Sequence, residues 1–124
     1  MSSVVDSSGW IEYFSGGSRA SAFEGHLERK SDLIIPTLVI YEVYRWIKKH
    51  SGEDVALKCI SQMNSPKTIP LTDSIAMHAA DLSLEHKLAL ADSIVYATAL
   101  TYRAKLITMD QDFRGLPNVS VIDK

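Results

Sequence analysis

Residues 88–113, LALADSIVYATALTYRAKLITMDQDF, carry the pattern that decides the fold. Residues 88–104 are apolar nearly all round and rich in alanine, which predicts a central helix packed closely on two sides. Residues 105–109 are a short apolar run typical of a buried strand, and residues 110–113 predict a turn or a short helix. This stretch therefore predicts a helix that leads directly into a strand of a covered sheet.

The rest of the chain alternates short apolar strands with helices in the same way. The remaining strands are predicted at residues 2–5, 32–36, 67–71 and 119–122. The remaining helices are predicted at residues 9–14 (capped by residues 6–8), 19–30, 37–50, 55–63 and 72–87. This alternation predicts an α/β fold: a three-layer α/β/α sandwich with a mostly parallel central sheet of about five strands.

The size and composition of the chain fit one domain. The chain has 124 residues, of which 46% are hydrophobic, so it can bury one core but is too short for two ordinary domains. We therefore expect a single domain over residues 1–124. There are 13 Lys and Arg residues against 15 Asp and Glu, and the formal net charge of −2 excludes a global attraction to nucleic acid or to an anionic membrane.

The sequence also bears on the compartment. The one cysteine, Cys59, excludes an internal disulfide and suits a reducing cytosol. No apolar run approaches the roughly 18 residues that a membrane span requires, and the N-terminus lacks the basic and apolar regions of a signal peptide. We expect a cytoplasmic protein that does not associate with membranes.

Four acidic residues stand at strand ends or near helix starts, in segments far apart along the chain: Asp6, Glu42, Asp92 and Asp110. They follow or interrupt the runs SSVVD, IIPTLVIYE, LALAD and KLITMD, which we expect to be buried. In open α/β sheets the binding crevice lies at the carboxyl ends of the strands, where the strand order reverses. We therefore expect the four carboxylates to share one cleft.

Clustered carboxylates need a cation. Two of them about 4 Å apart repel by roughly 4 kcal/mol at an effective dielectric constant near 20. An all-oxygen ligand set favours Mg²⁺ or Mn²⁺, and the four histidines show no HxH or HxxxH spacing for zinc. Such a site suits hydrolysis of a phosphodiester by a metal-activated water. Ser7, Ser8 and Thr108 are near enough in sequence to orient waters or ligands.

Each of these residues has a simpler reading when taken alone. Asp6 and Asp92 could be helix-start residues stabilised by the helix dipole, Glu42 could pair with Arg45 one turn on, and Asp110 could be a turn aspartate. The serines and the threonine could be caps. Four acids at the same edge of the sheet are harder to explain as independent accidents.

These segments resemble the PIN-domain ribonucleases, and most closely the VapC-type toxins of toxin–antitoxin pairs. The family's opening, an apolar strand into Asp-Ser-Ser, is matched by VVDSSGWIEYF at residues 4–14, and its second acid by TLVIYEVYRWIKK at residues 37–49. Its third acid, in an Ala-Asp pair opening an alanine-rich helix, is matched by LALADSIVYATA at residues 88–99. Its final Thr-x-Asp-x-Asp-Phe is matched by TMDQDF at residues 108–113.

The resemblance implies a PIN-like fold and a metal-binding quartet of Asp6, Glu42, Asp92 and Asp110, with Asp112 as a candidate fifth ligand. It also implies endonucleolytic cleavage of RNA that depends on Mg²⁺ or Mn²⁺. The expected partners are an RNA substrate, a second copy of the chain in a homodimer, and a cognate antitoxin that blocks the groove.

Basic residues beside the acids suggest a path for RNA. Arg45, Lys48 and Lys49 lie on the helix that carries Glu42, and Arg114 follows the last acids. An RNA contact and a solvated helix face explain these basic residues equally well. The neighbouring Tyr41 and Tyr44 could stack on bases, whereas core packing is predicted for Trp46.

Four other functions are open. A phospho-accepting receiver domain also combines strand-end acids with Mg²⁺, but it needs adjacent acids after the first strand, where this chain has only Asp6. An aspartyl phosphatase would need Asp-x-Asp there, and position 8 is Ser8. The others are a PIN-fold RNA-processing nuclease outside a toxin–antitoxin system and a binding module without activity.

Overall fold

The central sheet has five parallel strands. The computed structural model describes residues 1–124. The strands are β1 (Ser3–Val5), β2 (Leu33–Pro36), β3 (Lys67–Ile69), β4 (Lys105–Thr108) and β5 (Val119–Val121). Their order across the sheet is β3-β2-β1-β4-β5, and every neighbouring pair is parallel. The predicted mostly parallel sheet of about five strands is confirmed.

Six α-helices flank the sheet and complete the three-layer α/β/α sandwich. They are α1 (Ser7–Ser15), α2 (Ala20–Glu28), α3 (Thr37–Ser51), α4 (Glu53–Gln62), α5 (Asp73–His86) and α6 (Leu90–Thr101). Two single 3₁₀ turns, Lys30–Asp32 and Gln111–Phe113, complete the regular structure. None of the helices combines the length and the apolar character needed to cross a membrane.

One apolar core holds these layers together. It is a single cluster of 26 buried hydrophobic residues that includes the whole of β2 apart from Pro36, and β1 residues Val4 and Val5. Helix α6 is buried over much of its length, at Ser93 and from Val95 through Ala99, as its composition predicts. A helix enclosed in this way needs small side chains, which explains its alanines.

The structure corrects some helix details. Helix α6 ends at Thr101, three residues earlier than predicted, because Arg103 adopts a left-handed conformation (φ 54°) that turns the chain into β4. A threonine ahead of an apolar run predicts an N-cap at Thr37, but Thr37 is the first residue of α3 and its side chain makes no capping hydrogen bond. The prediction that Trp46 packs in the core is wrong. The residue is 37% exposed, and its ring stacks on the His50 ring with centroids 3.9 Å apart.

The strand order places a crevice between β1 and β4. The chain runs from β1 outward through β2 to β3, then returns across the sheet to β4 and β5 on the other side. Strands β1 and β4 are therefore the pair at which the order reverses, and ligand crevices form beyond the carboxyl ends of such a pair. The residues that follow these strands are Asp6 after β1 and Met109 and Asp110 after β4.

Candidate metal centre

Asp6 is fixed at the end of β1 by contacts to both of its carboxylate oxygens. Its Oδ1 accepts a hydrogen bond from the Ser7 backbone N–H (2.8 Å), which caps α1, and its Oδ2 accepts one from the Thr108 hydroxyl (2.9 Å). Only 4% of the residue is exposed. Burial raises the pKa of Asp6, as does the nearby charge of Asp110, while the hydrogen bonds from Thr108 and Ser7 lower it.

Thr108 connects the acids that follow the two central strands. Its fully buried hydroxyl donates to Asp6 and accepts a hydrogen bond from the Asp110 backbone N–H (3.0 Å). The Ser8 hydroxyl lies 3.4 Å from that of Thr108 and accepts a hydrogen bond from the Met109 backbone N–H (3.2 Å). These bonds hold the start of α1 against the end of β4, so that Asp6 and Asp110 keep a fixed spacing.

Three carboxylates meet closely beyond β4. One oxygen of each of Asp92, Asp110 and Asp112 lies within 4.8 Å of the others. Asp92 comes from the first turn of α6, Asp110 caps the 3₁₀ turn after β4, and Asp112 lies within that turn. Asp110 Oδ1 also accepts a hydrogen bond from the Asp112 backbone N–H (2.9 Å), which shapes this turn.

The charges of the other four acids all act on Asp92. The pKa of Asp92 is raised to about 7, first by burial and then by the charges of Asp110, Asp6, Glu42 and Asp112, in decreasing order. Only carboxylates close to Asp92 in space can raise its pKa in this way. The structure therefore places Asp6, Glu42, Asp110 and Asp112 near enough to Asp92 for their charges to act on it.

Glu42 approaches the cluster from α3. Burial raises its pKa, the charge of Asp6 raises it further, and a hydrogen bond from the Ser7 side chain lowers it. The alternative pairing with Arg45 is not formed, since neither residue takes part in an ion pair. Glu42 thus lies near Asp6 and forms no ion pair with the neighbouring cation on its own helix.

The donor set fits a hard divalent cation. None of the five carboxylates is paired with a Lys, Arg or His side chain, so their mutual repulsion is not relieved within the protein. No histidine or cysteine belongs to the close group of ligand atoms. Oxygen ligands alone suit Mg²⁺ or Mn²⁺ better than zinc. The close trio and Asp6 would hold such an ion, with Glu42 at its margin.

The sequence predicts only part of the surroundings of Ser8. The sequence places Ser7, Ser8 and Thr108 near the acids, but the bond from Met109 to Ser8 joins residues 101 positions apart. No local pattern indicates such a contact, because it depends on β1 and β4 being neighbours. The Asp-Ser-Ser motif is the only signal that could have singled out Ser8.

Comparisons with known proteins agree with this fold. The model of the PIN domain matches residues 3–119. A toxin–antitoxin complex from Klebsiella pneumoniae contains a chain that is 30% identical, with a TM-score of 0.82 over 99% of this chain and 100% of that one. No curated protein sequence gives a significant match.

Two further solved structures share the fold at lower identity. Mycobacterium tuberculosis VapC20, described as a sarcin-ricin loop cleaving toxin, is 16% identical with a TM-score of 0.76, covering 94% of this chain and 95% of that one. VapBC2 from Rickettsia felis, bound to a DNA fragment from its promoter, is 14% identical with a TM-score of 0.76, covering 99% and 98%. With the family model matching nearly the whole length, the chain belongs to the PIN domain family.

Proposed function

We propose that the protein is an endoribonuclease that depends on Mg²⁺ or Mn²⁺ and is the toxin of a VapBC-type toxin–antitoxin pair. The observation that carries the proposal is the convergence of five unpaired carboxylates at the point where the strand order reverses. In this proposal the nuclease domain spans residues 1–124. Membership of the PIN domain family excludes the receiver-domain and phosphatase alternatives.

The acids would divide the work of phosphodiester hydrolysis. Asp92, Asp110 and Asp112, whose ligand atoms lie within 4.8 Å of one another, would hold the ion together with Asp6, whose charge acts on Asp92. A bound Mg²⁺ or Mn²⁺ would polarise the phosphoryl oxygen and lower the pKa of the attacking water. Glu42 suits the role of proton acceptor, because its carboxylate lies outside the close trio and is only partly buried.

Hydroxyl and backbone N–H groups beside the acids would keep the ligands in place. Thr108 restrains one oxygen of Asp6, and Ser7 contacts both Asp6 and Glu42. Hydrogen bonds to ligating carboxylates fix their orientation, which is the usual role of groups just outside the ligands of a metal site. We propose this positioning role for Ser7, Ser8 and Thr108.

The proposed protein partners are an antitoxin and a second copy of the chain. The toxin–antitoxin complex with a 30% identical chain supports the antitoxin. Large apolar side chains on α5 and at the start of α6 support the homodimer: Met77 is 66% exposed, Leu84 is 84% exposed and Leu90 is 77% exposed. We propose that the toxin and its antitoxin act in the cytoplasm, where RNA and a newly made antitoxin are both available.

The test is cleavage of RNA by the purified protein with and without metal. We expect cleavage in Mg²⁺ or Mn²⁺, none in excess EDTA, and recovery when the metal is restored. Asp6→Asn should abolish cleavage, whereas Asp81→Asn, which changes an exposed acid on α5, should cleave like the wild type. If Asp6→Asn cleaved RNA at the wild-type rate, Asp6 would not belong to the catalytic site.

The toxin assignment has a separate test in cells. Expression of the wild-type chain should arrest growth, and Asp6→Asn should not. Co-expression of the gene adjacent to its own should relieve the arrest. Cleavage of RNA in vitro without any growth arrest would favour the RNA-processing nuclease over the toxin.

A further inference from the structure

One exposed face of α3 adjoins the acid cluster and differs from it in charge. Five residues form this face, which we call the α3 strip: Tyr41, Tyr44, Arg45, Lys48 and Lys49. They enclose a shallow depression of about 460 Å³. Most of them recur at intervals of three or four residues, so they share one side of the helix.

The α3 strip is continuous with the acid cluster. A second depression is lined by Ser7, Ile11, Tyr41, Glu42, Arg45 and Trp46. The two depressions share Tyr41 and Arg45, and the second contains Glu42. A ligand held at the carboxylates can therefore continue over Tyr41 and Arg45 without leaving the surface.

The ring of Tyr41 is free to bind a ligand. The residue is 62% exposed, and its ring makes no stacking contact with another aromatic side chain. By contrast, Tyr44 lies under the Lys48 ammonium, 5.5 Å from the ring centroid, and Trp46 is stacked on His50. Tyr41 is thus the aromatic ring of this face that has no partner within the protein.

Two of the three basic side chains of the α3 strip also have no ion-pair partner. Lys48 is engaged by Glu53, with 3.6 Å between Nζ and Oε1, in addition to its contact with Tyr44. Arg45 and Lys49 are exposed and take part in no ion pair. The free cations therefore lie on the same side as the free ring, with Arg45 nearer to the acids.

This arrangement is complementary to a chain that carries anions and flat rings in alternation. Single-stranded nucleic acid is held by cations that follow its backbone and by aromatic rings on which its bases stack. In a paired helix the base faces are covered, so a stacking ring selects unpaired nucleotides. An acidic peptide could pair with Arg45 and Lys49, but its carboxylates offer no flat ring to stack on Tyr41.

We propose that the α3 strip is the site that holds unpaired nucleotides next to the scissile bond, with Tyr41 stacking on a base and Arg45 binding a phosphate. Lys49 extends this path away from the carboxylates. The proposal rests on the proposed ribonuclease function and assigns the side chains of this chain that hold the RNA beside the carboxylates.

The test compares variants in binding and in cleavage. The probe is a short fluorescein-labelled RNA of mixed sequence, used unpaired and annealed to its complement. Tyr41→Ala should bind the unpaired RNA about 5- to 100-fold more weakly, the range expected for loss of one stacked base. Tyr41→Phe should bind like the wild type, and Tyr102→Ala, which removes an exposed tyrosine just after α6, is the matched control.

Phosphate binding by Arg45 and base stacking by Tyr41 should differ in their dependence on salt. Each phosphate contact to a single strand contributes about −0.7 to the slope of log affinity against log salt. Arg45→Gln should make this slope shallower by about 0.7, and Lys58→Gln on α4 should not change it. Tyr41→Ala should weaken binding at every salt concentration with an unchanged slope. In cleavage, both strip variants should raise KM more than they lower kcat.

The outcomes separate this inference from the proposed function. If the wild type cleaves RNA with metal but Tyr41→Ala and Arg45→Gln bind and cleave normally, the strip is not the nucleotide site. Equal loss on unpaired and paired RNA would also overturn the proposal. If the variants lose only inhibition by a protein partner, the strip is a protein interface. If the wild type cleaves no RNA with any divalent ion, the proposed function itself fails.

Discussion

The Thr108 hydroxyl donates a 2.9 Å hydrogen bond to Oδ2 of Asp6, across 102 residues of sequence, at the carboxyl ends of the two central strands. The same hydroxyl accepts a hydrogen bond from the Asp110 backbone, so one buried side chain sets the spacing of two acids. The geometry of the acid cluster therefore depends on a neutral residue as much as on the acids.

Thr108→Val should reduce both stability and cleavage. The substitution keeps the shape of the side chain but removes the donor to Asp6 and the acceptor for the Asp110 N–H. Leaving buried polar groups without partners costs about 1–3 kcal/mol of unfolding free energy. Urea unfolding measures this loss, and cleavage assays measure the effect on rate.

Thr108→Ser is the control for this prediction, because it keeps the hydroxyl and removes only a methyl group. It should retain most of the activity that Thr108→Val loses. If the valine variant is as stable and as active as the wild type, the hydroxyl does not hold the acids.

Without divalent metal, the protein should become less stable as pH rises from about 4 to about 7. The pKa of Asp92 is raised from 3.8 to about 7 by folding, so the folded state binds more protons than the unfolded state in this window. Stability then falls as the group ionises, because its charge is disfavoured only in the folded protein. The raised pKa values of Asp6 and Glu42 act in the same direction.

Mg²⁺ or Mn²⁺ should remove much of this loss, since an ion that binds only the folded state stabilises it. Thermal unfolding across this pH range, with EDTA or with metal, measures the effect. Asp92→Asn should flatten the pH dependence in EDTA, while Asp81→Asn should keep it. A wild-type melting temperature that rises with pH in EDTA would contradict the charge repulsion inferred for the cluster.

Gly9→Ala should destabilise the protein and impair the site. A Cβ at Gly9 would lie 2.6 Å from Cε1 of Phe23 and 2.7 Å from Cγ1 of Val5, closer than packed carbon atoms allow. Overpacking of this kind costs about 1–3 kcal/mol. The strain falls beside Val5, the residue before Asp6, so RNA cleavage should fall as well.

Gly25→Ala is the matched control for the glycine prediction. It lies within a helix, with no atom in reach of an added Cβ, and should stabilise α2 by about 0.5–1 kcal/mol. Chemical denaturation of both variants should therefore give shifts of opposite sign. A Gly9→Ala variant as stable as the wild type would show that the packing around Gly9 has room for a Cβ.

The sequence was sufficient to predict the order of elements and the acids that converge. Short apolar runs predict all five strands, and the strand-end positions of Asp6 and Asp110 predict their meeting at one edge, because parallel strands end on the same side. The link from Thr108 to Asp6 could not be predicted from local patterns, since it depends on β1 and β4 being paired in a particular register.

The exposed surface was harder to predict than the core. Trp46 has the spacing of a buried residue in α3, yet it lies at the edge of that face and packs on His50. The reason is that helical periodicity gives the direction of a side chain but not whether another element covers it. For the same reason, the free ring of Tyr41 became distinguishable from Tyr44 only when their neighbours were known.

The most direct measurement is the anomalous scattering of Mn²⁺ in crystals of the wild-type protein. We expect a peak among Asp6, Asp92, Asp110 and Asp112, with carboxylate oxygens at about 2.0–2.2 Å, close to the distances at which Mg²⁺ takes oxygen ligands. The peak should vanish in Asp110→Asn and persist in Asp81→Asn. Crystals saturated with Mn²⁺ that show no ion between these carboxylates would contradict the metal centre on which the account rests.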